Sequence, residues 1–470
     1  MRREWLVVAI VSTGALMGTM NTSIVNTLLP VIRDSFGSDL STIGWVLMSY
    51  TLTVSVLLLS FGRLGDIWGH RRVYNAGLLV FIAASGLCAL SPTEVFLIAA
   101  RSIQAVGGAM LVSNSQAVLA HSFLPEKRGQ LLAIYYSIGS LGVLIGPSLG
   151  GYLGGTFGWR SVFYVDVLIC VLLAVLAFSI IPGTKAGDKR EPFDFIGAGA
   201  FAIGLGALLL AITKGQESGW GSTFILGSLA SAVIFLAILV WSEWVRPYPM
   251  LDLRLFRSRV FSLAIASNLV NLACVYAALF LMPFYLIQAR GFSPAMAGLL
   301  FSAEPLGVVV GTPISGYLCN RAGPRLLSTL GTIAVAAGLF TMHFLGPQSG
   351  NIEIMLPMAL IGLGNGLFVT PNATTILGSA PAEGQGVANG IVSTARNLGV
   401  VFGVAIAGAI LSMQMAQRIA EQSDPQGLFI GAFQDTLLVV AMIAVMGAIL
   451  ALAGRPASRA SAHSRATRPL

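Results

Sequence analysis

GSLGVLIGPSLGG, residues 139–151, holds five glycines and one proline in thirteen residues, inside a stretch whose apolar content otherwise reads as helix. Each interior glycine costs about 1 kcal/mol against alanine in water, and a proline about 3 kcal/mol. The surrounding solvent explains why a chain accepts this. The 470 residues are 56% hydrophobic and only 10% charged, with a mean hydropathy of +0.83. Apolar runs of about 20 residues recur along the whole chain, each long enough to cross a hydrocarbon core of about 30 Å as a helix. The composition is that of an all-α polytopic membrane protein. Between membrane helices close backbone packing replaces hydrophobic drive, and glycine permits it. Gly142, Gly146 and Gly150 recur at i, i+4 and i+8 and form one smooth stripe, with Pro147 allowing a bend. The stripe reads as a packing seam between two helices.

Fourteen spans are expected, at about 6–30, 42–62, 72–91, 95–119, 130–153, 160–181, 195–214, 222–244, 260–288, 295–318, 326–344, 354–378, 386–412 and 433–453. The apolar run after the two N-terminal arginines continues to Pro30 without a small-residue cleavage site, so it reads as a first span and not as a signal peptide. PGTKAGDKREPFD (182–194) and RPYPMLDLRLFRSR (246–259) read as linkers, and the Arg/Ser/Ala-rich tail 454–470 as disordered. The expected organisation is an N-terminal six-helix bundle (1–181), a linker carrying two additional helices (182–258), a C-terminal six-helix bundle (259–453) and the tail.

With the N-terminus in the cytoplasm, 20 of the 27 Lys and Arg fall in cytoplasmic segments. Five fall outside (Arg33, Arg160, Lys214, Arg290, Arg418), and Arg101 and Arg396 lie within helices. This asymmetry places both termini in the cytoplasm and assigns the net charge of +8 to lipid headgroups, without nucleic acid. Cys88, Cys170, Cys274 and Cys319 are far apart and form no C-x-x-C pair, which argues against disulfide and metal frameworks. No phosphate-binding G-x-x-x-x-G-K-[ST] occurs, and no His/Cys/carboxylate cluster has ligand spacing, so neither an ATP-driven pump nor an enzyme is indicated. No cofactor is expected.

GRLGDIWGHRR (62–72) and GYLCNRAGPR (316–325) are both glycine-led and basic, and each follows the second span of its half. Such internal repeats mark secondary transporters. In the first copy, Gly62 and Gly69 frame a loop in which Asp66 precedes Arg71 and Arg72, a set able to form charge-assisted bonds and act as a conformational latch. In the second copy Asn320 replaces the acid, which predicts a weaker latch.

With these motifs in view, the chain resembles the major facilitator superfamily. Gly142-V-L-I-Gly146-Pro147-S-L-Gly150-Gly151 is similar to that family's fifth-helix antiporter motif, GRLGDIWGHRR to its second loop, and Arg101-S-I-Gln104-A-V-Gly107-Gly108 to its fourth-helix motif. Fourteen spans, IVNTLLP in the first helix, GLGNGLFVTPNATTILG (362–378) and STARNLG (393–399) are similar to its EmrB/QacA drug:proton antiporter branch. The resemblance implies two bundles that rock about a central site, the latch at 62–72, and a part for Arg101 in proton coupling. A structural role for Arg101, bonding backbone carbonyls at a kink, stays open.

Ionisable residues inside a membrane default to functional candidates. Glu304 and Asp166 join Arg101 as proton-coupling candidates, and Glu304 is the foremost. It sits about ten residues into its span, near mid-depth at about 1.5 Å per residue, with no Lys or Arg within a turn. Asp166 stands where the related pattern has Asn, and Asn21 stands where that pattern has an acid. The neutral Asn21 weighs against cationic substrates. Asn21, Asn26, Tyr50, Gln104 and Tyr276 are the candidates for the substrate cavity, together with the aromatic residues Trp45, Tyr135, Tyr136, Phe280 and Phe284. The function read from the sequence is proton-coupled export of small hydrophobic or amphiphilic compounds by a multidrug-type antiporter. Its partners would be that substrate, protons and membrane lipids, in an inner membrane and as a monomer. The alternatives are an exporter of a lipid or endogenous metabolite and a transport-dead sensor or assembly subunit.

Overall fold

The computed structural model describes residues 2–122, 128–181, 195–245, 253–379, 385–418 and 424–453. The tail, the linker 182–194 and the first part of the second linker lie outside the described residues, as do the side chains of Asp66, Tyr136 and Asn320. The described residues are helical throughout, without strands. Helices α1 (Arg2–Phe36), α2 (Leu40–Trp68), α3 (His70–Ala89), α4 (Glu94–Ser122), α5 (Arg128–Phe157) and α6 (Ser161–Ile180) are followed by α7 (Phe195–Ser218) and α8 (Thr223–Val245). Then come α9 (Arg259–Phe284), α10 (Pro294–Phe301), α11 (Ala303–Ala322), α12 (Pro324–Met342), α13 (Asn351–Ser379), α14 (Gln385–Arg418) and α15 (Pro425–Ala453).

Among the described residues, 12 helical segments are long and apolar enough to cross a membrane, α10 and α11 together forming one of them. Helices α5 and α7 run 30 and 24 residues but are not among these 12, and the apolar part of α7 is the shorter stretch Gly199–Gly215. The outer surface carries many large apolar side chains, while isolated polar groups lie within a mainly apolar interior. Asp166 is 1% exposed, whereas Leu168, two residues on, is 72% exposed. An outer surface this apolar suits contact with lipid.

The packing repeats. Helix α1 packs on α5, α2 and α3 on α4, and α3 on α6. The same pairings recur as α9 on α14, α11 and α12 on α13, and α12 on α15. Gly69 joins α2 to α3 at φ +93°, and Gly323 joins α11 to α12 at φ +81°. Only glycine enters that region without a Cβ penalty, which accounts for the glycine at the end of each repeated loop. The most extensive contacts between the halves are α2 with α14 and α5 with α10, and α1 also meets α9 and α10.

Helices α7 and α8 pack on each other, and α7 also lies against α2 and α14. Lys214 of α7 pairs with Asp39, the residue that caps α2, at 3.2 Å. Partial burial disfavours the charge on Asp39, but bonds from Ser41, from Thr42 and from Lys214 outweigh it and hold the carboxyl well below the usual carboxylate range.

One sequence expectation changes here. Glu304 does not lie ten residues into a continuous helix. The span breaks at Ser302, so Glu304 occupies the first turn of α11. Pro305 has no N–H to offer the Phe301 carbonyl, which removes one rung of the ladder, and Ser302 Oγ donates back to the Gly298 carbonyl at 2.9 Å.

Candidate functional site

The N-terminal half is centred on Arg101, which is completely buried in α4. Its Nη1 donates to Asn21 Oδ1 at 2.5 Å and to Gln104 Oε1 at 2.5 Å, and its Nε donates to the Val46 carbonyl at 3.2 Å. The guanidinium lies over the Tyr50 ring, 4.3 Å from its centroid. Asn21 in turn donates through Nδ2 to Asp166 Oδ2. Helices α1, α2, α4 and α6 thus meet on one chain, Arg101–Asn21–Asp166, in which a neutral amide separates the buried cation from the buried carboxylate. Gln104 is anchored by its bond to Ser85 at 2.7 Å. Arg101 Nη2 and Asp166 Oδ1 keep no partner among the described residues.

Five residues that the sequence scattered over the first six spans are therefore one cluster: Asn21, Tyr50, Arg101, Gln104 and Asp166. Two of them change role. Asn21 and Gln104 are fully buried with their amide groups engaged, so they hold the charges and do not line an open cavity. Arg101 bonds a backbone carbonyl, as its structural reading expects, and also the polar chain through Asn21. The fourth-helix glycines also find their reason. A Cβ on Gly108 would sit 2.6 Å from the Tyr50 hydroxyl, and one on Gly107 would sit 2.6 Å from the Phe81 nitrogen.

The C-terminal half places Glu304 at the helix break. It is 4% exposed, and its carboxyl has no hydrogen-bond partner among the described residues. Gly362 draws α13 against it, because a Cβ there would lie 2.8 Å from the Glu304 carbonyl carbon. Tyr276 of α9, partly exposed, lies within electrostatic reach of both Glu304 and Arg396, and Arg396 is an exposed residue of α14. Phe280 and Phe284 are buried and stack edge-on with each other at 5.4 Å, which makes them core rather than cavity.

The glycine stripe proves to have two faces. Cβ atoms on Gly142, Gly146 and Gly150 would meet Leu16 O at 2.5 Å, Ser23 Cβ at 2.8 Å and Ile24 Cγ2 at 2.7 Å, all on α1 of the same half. The stripe therefore welds α5 to α1. The contact across the halves comes from the adjoining face, about 100° around the helix. A Cβ on Gly298 of α10 would stand 2.8 Å from the Pro147 carbonyl carbon, and one on Gly151 would stand 2.9 Å from the Pro294 carbonyl carbon. The contact of α5 across the halves is made at Pro147 and Gly151, because α10 approaches that side of the helix.

Hydrogen bonds between the halves, where both partners are described, run from mid-depth to the end at which α1 finishes. Asn26 Nδ2 donates to the Leu279 carbonyl at 3.0 Å, so this cavity candidate is a clasp between α1 and α9. Gln288 accepts from Arg33 Nη1 at 2.8 Å and donates to Asp34 Oδ1 at 2.7 Å. Ser148 of α5 and Ser302 meet at 2.8 Å. Gln288 and the two serines carry no sequence motif that reasoning from one chain would detect.

Among the latch residues, Arg71 donates through Nη2 to the Phe178 carbonyl of α6, in its own half, at 2.6 Å. Gly62 has open space beside it, with Ser113 Cβ 3.9 Å from its would-be Cβ. Gly65, which the motif reading passed over, is the packed glycine of the loop. It lies against Asn114 and His70, whose side chains are 2.8 Å apart. Arg72 is exposed.

The chain and its fold have counterparts among known proteins. The chain is 32% identical over 412 residues to the multidrug resistance protein Stp of Mycobacterium tuberculosis, covering 87% of this chain and 76% of that one. It is 30% identical over 453 residues to the riboflavin transporter RibZ of Clostridioides difficile, covering 96% and 97%. A crystal structure of a bacterial homologue of the human lysosomal transporter Spinster, inward-facing and unoccupied, superposes with a TM-score of 0.74 at 12% identity, over 96% of this chain and 97% of that one. Residues 11–404 match the family model described as Major Facilitator Superfamily. The chain belongs to the Major Facilitator Superfamily and is a multi-pass membrane transporter, not an enzyme.

Proposed function

We propose that this transporter is a proton-coupled antiporter that exports small hydrophobic or amphiphilic compounds across an inner membrane by alternating access. The observation that carries this reading is the pairing of two buried carboxylates, one in each half. Asp166 is held one amide away from Arg101, and Glu304 stands unbonded at a helix break. Buried acids with these surroundings suit groups that load and release protons as access alternates. The name of the Stp relative supports the multidrug reading. The name of the riboflavin transporter RibZ, which matches nearly the whole of both chains, favours a second reading, transport of a planar metabolite.

The proposal includes fourteen spans, with α5 and α7 crossing alongside the twelve more apolar segments. It takes 1–181 and 259–453 as the two rocking bundles, 182–258 as the insert, and both termini as cytoplasmic. The clasped end, with Gln288, Arg33 and Asp34, is then the outer end and the described state is closed to the outside. Asp66, Arg71 and Arg72 would act as the latch at the inner end, between Gly62 and Gly69, in the opposite state. The working unit is a monomer among lipids, with protons and the exported compound as its partners.

The test is transport in proteoliposomes with an imposed pH gradient, comparing riboflavin, neutral polycyclic aromatics and the permanent cation ethidium. Gradient-driven accumulation of a neutral compound supports the reading, and accumulation indifferent to the gradient overturns proton coupling. Asn21 refines the substrate charge. Because it is buried, it acts through the net charge of the network and not by touching substrate. Asn21→Asp adds a carboxylate beside Asp166 and is expected to extend export toward ethidium. An active Asn21→Asp protein with an unchanged cation profile would show that the network charge does not set this preference.

A further inference from the structure

We propose that the Ser148–Ser302 pair transmits the protonation state of Glu304 to the seam between the halves. The proposal rests on the reading of Glu304 as a proton carrier, and it assigns the two serines as positioning residues that act through Glu304's own helix break.

The geometry gives the pair a direction. Ser302 Oγ spends its proton on the Gly298 carbonyl at 2.9 Å, so the 2.8 Å contact with Ser148 is made by the Ser148 hydroxyl donating to Ser302 Oγ. A chain of hydroxyls therefore runs from α5 into the break of α10 and α11. Gly298, whose carbonyl ends that chain, is the residue whose missing Cβ admits the Pro147 carbonyl of α5. One residue thus takes part both in the break and in the tightest approach across the halves.

Glu304 lies two residues beyond Ser302 in the first turn of α11. Its backbone is wedged against Gly362 of α13, so a rearrangement driven by its charge cannot be absorbed on that side. The α10 side is freer, because Pro305 has already removed a rung there. The charged and titratable groups facing Glu304 are Tyr276 of α9 and, beside Tyr276, Arg396 of α14. Helix α13 carries one titratable residue among its described positions, Glu353 in its first turn at the far end. Helix α5 has none between Tyr136 and Tyr152.

The experiment needs no substrate. Spin labels at Leu90 (68% exposed, just after α3) and Ile352 (79% exposed, α13) report the separation of the halves at the clasped end by pulsed electron resonance. The labelled protein, its native cysteines replaced by serine, is measured in nanodiscs between pH 5.5 and 8.5. The wild type is expected to shift between closed and open distances with pH, and Glu304→Gln is expected to remove that shift. Ser148→Ala and Ser302→Ala should each reduce the part of the shift that depends on Glu304 by about fivefold, the contribution of one net hydrogen bond. The double variant should be no worse than Ser302→Ala, since that variant already removes the bond to Ser148 together with the one to the Gly298 carbonyl. Ser148→Thr and Ser302→Thr keep the hydroxyl and should restore the shift.

If the alanine variants change the open fraction equally at every pH, the serines only pack, and the proposal is overturned while the reading of Glu304 stands. If Glu304→Gln keeps the wild-type shift, or the wild type has none, the proton-carrier reading itself fails and the proposal falls with it.

Discussion

Glu304→Gln loses gradient-driven uphill transport while substrate binding and downhill exchange persist. A pH gradient of two units is worth about 2.7 kcal/mol per proton, an accumulation of about 100-fold for one proton exchanged. In the variant that ratio is expected to fall to about one. Glutamine preserves the size and hydrogen-bonding capacity of the side chain, so α11 keeps its place against Gly362 and only titration is removed. The carboxyl has no partner among the described residues, and no structural bond is lost with it. Proteoliposomes loaded with a compound that the wild type carries provide the measurement. Uphill transport by Glu304→Gln at the wild-type rate would move the coupling to Asp166, the remaining buried acid of the two halves' central network.

Gly298→Leu arrests transport by a different route. Its side chain would have to occupy the space now filled by the Pro147 carbonyl, a contact between two backbones that cannot step aside as side chains can. Overpacking of this sort costs about 1–3 kcal/mol, so the population closed at this end should fall by about 5- to 150-fold. The protein should insert normally and remain open at the clasped end, because the wedge opposes a state and not the fold of either half. Gly146→Leu is the control that separates the two faces of α5. Its side chain meets Ser23 on α1 of the same half, so it is expected to lower the melting temperature as well as transport. Equal thermal destabilisation by the two variants, with unchanged labelling at the clasped end, would refute the division of α5 into a welded face and a closing face.

Much of this protein is legible in its residue order, since a membrane constrains sequence heavily. Twelve segments announce themselves by length and hydropathy, because a helix alone satisfies its own backbone in hydrocarbon. The repeated loops ending at Gly69 and Gly323 are legible because a positive φ demands glycine. Asp166, Glu304 and Arg101 stand out because charge inside an apolar run requires a reason.

What the residue order left open concerns direction around each helix. Gly142, Gly146 and Gly150 form a stripe by spacing alone, but only the assembled fold shows that it faces α1, while Pro147 and Gly151 face α10. Asn21, Arg101 and Asp166 lie 80 and 65 residues apart, and no local pattern relates them. Their union is decided where four helices converge, because a buried cation and a buried acid each require partners that their own helices do not supply. The break before Glu304 and the Ser148–Ser302 bond are likewise tertiary. A proline permits a break, but the approach of α5 at Gly298 sets the contact across the halves at that level. Hydropathy places a residue at a depth in the membrane. Which neighbour it meets at that depth depends on helix rotation and crossing, which many weak contacts determine jointly.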